Sequence, residues 1–300
     1  MPTESKPPLP LGSHEPPGFE PRTLNHAGAS VRYLVGGAGP PIVLVHGLGG
    51  AASNWLRIAP ALVAAGWRVI VPELPGHGGS GPFPHAPSLD SFAEAVVAVL
   101  EHEDAVPAPW IGHSLGGLVG LRAAVRRPDA VLGLVLAAAA GISSATRTSE
   151  LMVTLIGRVR PQRLVTPHRS RVAGSRWGRT VAFGWWAVAD PAGFDPEMAE
   201  AFLDGPALHT DTRPAGAALI RFDSRHDLDR VGCPCLCLWG SADNWVPLGD
   251  GIDYARRLRA PLRVIADCGH LLIGERPDAV LAAVGEFLGS LEGPTPQPAV

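Results

Sequence analysis

Residues 108 to 127 read APWIGHSLGGLVGLRAAVRR. An apolar run enters Gly112-His113-Ser114-Leu115-Gly116, and a helical pattern begins at once, stopping before Pro128. A chain that goes from strand to helix without a loop must turn sharply. Glycine relieves the crowding there because it has no Cβ. Gly112 and Gly116 flank Ser114 two positions away on each side, and Gly117 follows. A serine at the tip of such a turn is reachable, and Gly-x-Ser-x-Gly between a strand and a helix is the pattern of a projecting nucleophile. The first N–H groups of the following helix face any negative charge that develops beside it.

The same alternation runs through much of the chain. VRYLV (31–35), PIVLVHG (41–47), WRVIVPEL (67–74), AVLGLVLAAAA (130–140), CPCLCLWG (233–240) and PLRVIA (261–266) read as strands. Helical patterns fall around 55–65, over 88–103 with Ser88 or Asp90 as cap, and over 276–292 with Pro277 near the start. Strands alternating with helices predict an α/β fold: a mostly parallel central sheet with helices on both faces. The rhythm breaks over 141–214, which is helical, tryptophan-containing and arginine-rich and reads as an inserted helical cap. The expected organisation is a disordered proline-rich tail over 1–22, a core over 23–140 and 215–292, the cap between them, and a disordered tail over 293–300.

Composition narrows the chemistry. At 46% hydrophobic over 300 residues, the chain can bury a sizeable core. Its net charge of -3 calls for no nucleic-acid partner. The single lysine, Lys6, lies in the tail, which removes a Schiff-base lysine from the fold. Cys233, Cys235 and Cys237 alternate and would share one strand face as small apolar residues, without the spacing of a zinc knuckle. No run reaches the length of a membrane span and the N-terminus lacks a signal-peptide core, so a cytoplasmic location is expected.

A serine nucleophile needs a base, and the base needs an acid to orient it. Asp243 follows the strand at 235–239, and His270 follows the strand at 262–266. Ligands of parallel α/β sheets bind at the carboxyl ends of strands, where Ser114, Asp243 and His270 would all sit. Asp267, three residues before His270, is the weaker candidate for the acid.

Five motifs in order, HGLGG (46–50), ELPGHGGS (73–80), GHSLGG (112–117), GSADNWVP (240–247) and DCGH (267–270), carry a resemblance over about residues 24 to 292. The chain resembles the α/β-hydrolase superfamily, in its serine-nucleophile, capped, esterase- and lipase-like branch. The resemblance implies an oxyanion hole made by the backbone N–H groups of Leu48 and Leu115. It departs at Glu73, where a typical member has aspartate, which puts only local loop contacts in question. His46 would order the oxyanion loop or touch substrate. His77 would order its own loop, and His113 would pack beside the elbow, pointing away from Ser114.

The function expected is hydrolysis of a carboxylic ester, lactone or thioester through an acyl-enzyme on Ser114, with His270 as base and Asp243 orienting it. No cofactor or metal is required. The alternatives are carbon–carbon bond hydrolysis, lyase or acyl-transfer chemistry on the same triad, and a non-catalytic ligand receptor. Haloalkane and epoxide chemistry is disfavoured, because those branches place aspartate where Ser114 stands. The partner would be a small, largely apolar molecule, with Trp185 and Trp186 as substrate contacts. Phe183, Phe194, Phe202 and Leu203 would line the site or pack the cap. Residues 146–180 hold eight arginines against Glu150, either a solvated cap surface or a seat for an anionic group or acidic partner.

Overall fold

A computed structural model of the chain describes residues 14–143, 166–209 and 211–291. An eight-stranded sheet forms the centre, in the order β1-β2-β4-β3-β5-β6-β7-β8. The strands are β1 (Glu20–His26), β2 (Ala29–Gly36), β3 (Pro41–Val45), β4 (Arg68–Pro72), β5 (Ala108–His113), β6 (Val131–Ala137), β7 (Cys235–Gly240) and β8 (Leu262–Ile265). β1 and β2 pair antiparallel, β2 meets β4 antiparallel, and the pairings from β4 to β8 are parallel. The helices are α1 (Ile58–Ala64), α2 (Leu89–His102), α3 (Leu115–Arg126), α4 (Arg169–Gly174), α5 (Arg176–Ala187), α6 (Pro196–Leu208), α7 (Arg213–Ile220), α8 (Leu248–Leu258), α9 (Leu272–Glu275) and α10 (Pro277–Leu291).

The central strands are mostly apolar because helices cover both faces. Every residue of β5 and β7 is buried. Trp55, Trp110 and Trp239 are among the largest fully buried side chains. Trp110 and Trp239 donate their indole N–H groups to the carbonyls of Ala130 and Val246, at 3.2 and 3.0 Å, which offsets the cost of burying them. Ser88 caps α2: its hydroxyl accepts from the Ser91 N–H at 3.1 Å.

The fold starts earlier than its composition suggests. β1 begins at Glu20 and pairs with β2 over its whole length, so residues 20–22 belong to the sheet rather than to a tail. The approach to it is anchored as well. The Phe19 ring lies against Gly36, where a Cβ would come within 2.7 Å of it, and Glu15 pairs with Arg32 at 2.8 Å. Residues 1–13 and 292–300 lie outside the described residues.

Between β6 and β7, α4 to α6 build the cap on their own small core. Phe183, Phe194 and Leu203 pack there with Met198, Ala199 and Val188, and Phe202 packs against both this cluster and the main core. α7 belongs with the core, since Ala215 and Leu219 join the main apolar cluster. Among the cap arginines, Arg169 pairs with the buried Asp204 at 2.6 Å, and buried Arg179 donates to the carbonyls of Ala173 and Ala192, both at 2.6 Å. Arg171 and Arg176 are exposed, and Arg147, Arg158, Arg160 and Arg163 lie outside the described residues. Among the described residues, no helix is long and apolar enough to cross a membrane.

Candidate active site

Ser114 stands at the end of β5 with φ +52° and ψ −114°, directly before α3. A non-glycine residue held there stores about 1–3 kcal/mol of strain, so the surroundings must over-determine it. They do so through close backbone contact. A Cβ on Gly112 would lie 2.3 Å from the Gly116 carbonyl oxygen, and one on Gly116 would lie 2.1 Å from that of Val45. A Cβ on Gly117 would meet that of Ala139 at 2.7 Å. The three glycines around the serine are therefore steric necessities of the turn.

The structure brings Ser114, His270 and Asp243 together. His270 Nε2 lies 3.1 Å from Ser114 Oγ, and His270 Nδ1 lies 2.9 Å from Asp243 Oδ2. The other Asp243 oxygen accepts the N–H groups of Trp245 at 2.9 Å and Val246 at 2.8 Å. That fixes the carboxylate on the turn after β7 and leaves one oxygen for the imidazole. All three residues are buried, at 9%, 6% and 5% exposure for Ser114, Asp243 and His270, so water weakens their interactions little. Asp267 is exposed and takes no part in the array. The Trp245 ring stacks on the His270 ring with centroids 5.8 Å apart.

The loop after β3 passes against this array. A Cβ on Gly47 would lie 3.1 Å from Ser114 Cβ, so the loop runs in contact with the elbow. Gly47 to Gly50 form a turn closed by Gly50 N–H donating to the Gly47 carbonyl at 3.0 Å, with Gly49 at φ +74°. A positive φ at the third position is the signature of a type II turn and calls for glycine. His46 is fully buried and anchors this turn: its Nδ1–H donates to the Gly47 carbonyl at 2.8 Å, and its Nε2 accepts from Leu74 N–H at 3.0 Å. Both ring nitrogens are engaged, so His46 orders the loop and has none left for a substrate. Burial holds its pKa below the usual histidine range.

Several residues organise the site in ways sequence spacing does not reveal. Glu73 is buried, and its carboxylate accepts from Ala52 N–H at 3.1 Å, Gly79 N–H at 2.7 Å and Arg32 Nη1 at 3.3 Å. It ties the segment after the Gly47–Gly50 turn to the PGHGGS loop and to β2. The departure from aspartate was legible, but the three-way tie was not. Glu275 accepts from Gly269 N–H at 3.0 Å and from Ala189 N–H at 2.8 Å, joining the His270 loop to the cap. The Ala187 carbonyl, at the end of α5, accepts the N–H groups of His270 at 2.9 Å and Leu271 at 3.2 Å. Trp185 and Trp186 are exposed on α5, beside the Asp243 loop: Asn244 Nδ2 donates to the Trp185 carbonyl at 3.0 Å.

The four cysteines form no disulfide. Burial pushes the Cys237 thiol up to about 12 and raises that of Cys268, so both stay protonated and inert. Among the described residues, no cluster of three or more His, Cys, Asp or Glu is placed to hold a metal ion.

Sheet order, elbow and cap define an α/β-hydrolase fold, and comparison with known proteins agrees. The model of the α/β-hydrolase fold family matches residues 40–163. The chain is 33% identical to the dihydrolipoyllysine-residue acetyltransferase component of an acetoin cleaving system from Pseudomonas putida, covering 92% of this chain and 71% of that protein. It is 30% identical to a fluoroacetate dehalogenase from Burkholderia sp, covering 90% and 94%. It is 31% identical to a pimeloyl-[acyl-carrier protein] methyl ester esterase from Vibrio atlanticus, covering 75% and 84%. The chain belongs to the α/β-hydrolase family and is an enzyme of the hydrolase type.

Proposed function

We propose that the protein hydrolyses a carboxylic ester, lactone or thioester of a small, largely apolar molecule, through an acyl-enzyme on Ser114. The observation that carries this reading is the continuous chain Ser114 Oγ, His270 Nε2, His270 Nδ1, Asp243 Oδ2, with links of 3.1 and 2.9 Å. His270 Nε2 takes the proton of Ser114 as Oγ attacks the carbonyl carbon. The carbonyl π pair moves onto oxygen, and the N–H groups of Leu48 and Leu115 stabilise that oxyanion. Losing one such donor costs about 3–4 kcal/mol in comparable enzymes. The tetrahedral centre collapses, and His270 gives its proton to the departing alcohol or thiol. A water then delivers a proton to His270 as it attacks the acyl carbon, and the second tetrahedral centre collapses by breaking its bond to Oγ, which takes the proton back from His270 as the acid leaves. Asp243 holds the imidazole with its proton on Nδ1 and stabilises the imidazolium.

The esterase among the relatives is consistent with this substrate class, and a serine at position 114 favours an oxygen nucleophile of the acyl-enzyme type. In this reading the exposed rings of Trp185 and Trp186 meet the apolar part of the substrate, a role supported by the bond that joins the Trp185 backbone to Asn244, next to Asp243.

A fluorophosphonate probe tests the nucleophile. Labelling of the native protein that disappears in Ser114→Ala supports the reading, and labelling that persists defeats it. A chain-length series of p-nitrophenyl esters tests the reaction. Labelling without turnover of any ester would turn the assignment toward a lyase, a transferase or a receptor.

A further inference from the structure

His209 ends α6, on the cap, and its half-buried ring reaches two loops of the main domain. Its Nε2–H donates to the Gly49 carbonyl at 2.8 Å, and its Nδ1 accepts from Gly78 N–H at 3.1 Å. Gly49 lies in the turn that carries Leu48, and Gly78 lies in the PGHGGS loop held by Glu73. The ring sits edge-on to His77 with centroids 5.3 Å apart, and His77 is tilted against His46 at 5.2 Å. A row of three imidazoles thus runs from the cap to the start of the oxyanion loop.

Resting on the hydrolase reading above, we propose that His209 is a positioning residue for the oxyanion hole, supplied by the cap. Two carbonyls of the Gly47–Gly50 turn each accept from a histidine, that of Gly47 in addition to the bond that closes the turn. His46 holds the Gly47 carbonyl from the core side. Gly47 C=O and Leu48 N–H belong to one planar trans peptide and point opposite ways, so that grip sets where the Leu48 N–H aims. His209 holds the Gly49 carbonyl at the other end of the turn. Gly49 is at positive φ, in a region that offers glycine many alternatives, so without an outside anchor this end is free to rotate.

The neighbouring cap backbone closes on the same spot. A Cβ on Gly205, one turn earlier in α6, would lie 2.7 Å from the Gly49 carbonyl oxygen. Ser53 Oγ donates to the Ala201 carbonyl at 2.7 Å, and Asp211 N–H donates to the Gly76 carbonyl at 3.3 Å. The cap is therefore registered against the loop on both sides of His209. Only one tautomer serves both of its bonds, the neutral ring with hydrogen on Nε2. Burial lowers its pKa to about 4, which keeps it neutral at ordinary pH.

Three substitutions separate the two arms of the ring. His209→Phe keeps the ring volume and loses both bonds. His209→Asn offers an oxygen near the Nδ1 position and keeps only the Gly78 arm. His209→Gln offers an amide N–H near the Nε2 position and keeps the Gly49 arm. The readouts are kcat and KM on p-nitrophenyl acetate, the rate of fluorophosphonate labelling, and thermal unfolding. The proposal expects Phe and Asn to lower kcat and labelling rate about tenfold with KM little changed. That is less than the roughly 100- to 1,000-fold cost of removing an oxyanion donor outright. Gln is expected to recover most of the native rate. Native kcat in both Phe and Asn overturns the proposal, as does a Gln variant as slow as Phe. Should Phe fail to fold, the Asn and Gln pair decides alone. Native labelling that survives Ser114→Ala would instead overturn the hydrolase reading, and this proposal with it.

Discussion

Nε2 of His113 donates to the backbone carbonyl of His270 at 2.9 Å. The residue just before the elbow serine thus grips the main chain of the histidine that contacts that serine, across 157 positions of sequence. Their rings lie 5.0 Å apart. Burial, with His270 alongside, pushes the His113 pKa down to about 3. It therefore stays neutral and able to hold the loop wherever the enzyme could work.

Replacing His113 with Phe is expected to leave the His270 carbonyl buried without a donor. Such a loss costs about 1–3 kcal/mol of stability. It should also lower kcat, because the loop that aims His270 loses its tether. Urea denaturation and ester turnover measure the two effects, and a variant unchanged in both would show that the bond is idle.

Acid should unfold the protein early. The folded pKa values of His113 and His209 lie near 3 and 4, against an ordinary 6.5, and those of His46 and His77 are lowered as well. Below 6.5 the unfolded chain binds protons that the native state refuses, so stability is whole above that pH and falls as pH drops toward 3. Unfolding free energies at pH 7, 5.5 and 4.5 should decrease in that order, with a slope steeper than one group gives. A flat profile would contradict the buried neutral assignment.

Gly116→Ala and Gly120→Ala sit one helical turn apart but should differ sharply. The new Cβ meets the Val45 backbone oxygen at 2.1 Å in the first case and a Leu134 methyl at 2.7 Å in the second. A methyl can rotate away, while a central strand cannot. Overpacking typically costs about 1–3 kcal/mol, and Gly116→Ala should reach or exceed the upper end. Comparable melting temperatures for the two would argue against the close approach of loop and elbow.

Ser114→Gly should be inactive yet more stable than Ser114→Ala by about 1 kcal/mol, because glycine tolerates the positive φ that alanine would inherit. Equal stabilities would mean that the elbow carries little strain.

The core of this reading was legible because its signals are local. The glycines around Ser114 and the positions of Asp243 and His270 after apolar runs each mark a strand end within a few residues. What escaped is nonlocal or looks ordinary. β1 is polar on most of its length because it is an edge strand covered by little, and its proline-rich approach reads as a tail. His113, His209 and Glu275 carry no periodic signature, since their partners come from other segments of the chain. Arg169 and Arg179 belonged to a basic run that suggested a surface, and the cap uses both internally.

A Cβ on Gly269 would come within 2.8 Å of Val188 Cα, and the peptide beyond it bonds to the Ala187 carbonyl. The cap is therefore not an interchangeable accessory. A recombination that grafted a foreign cap onto this core would have to bring its own carbonyl to the same place, and would have to accept a residue with no side chain beneath it. New specificities in this lineage should then arise more readily by altering the outward face of α5 than by trading the whole segment.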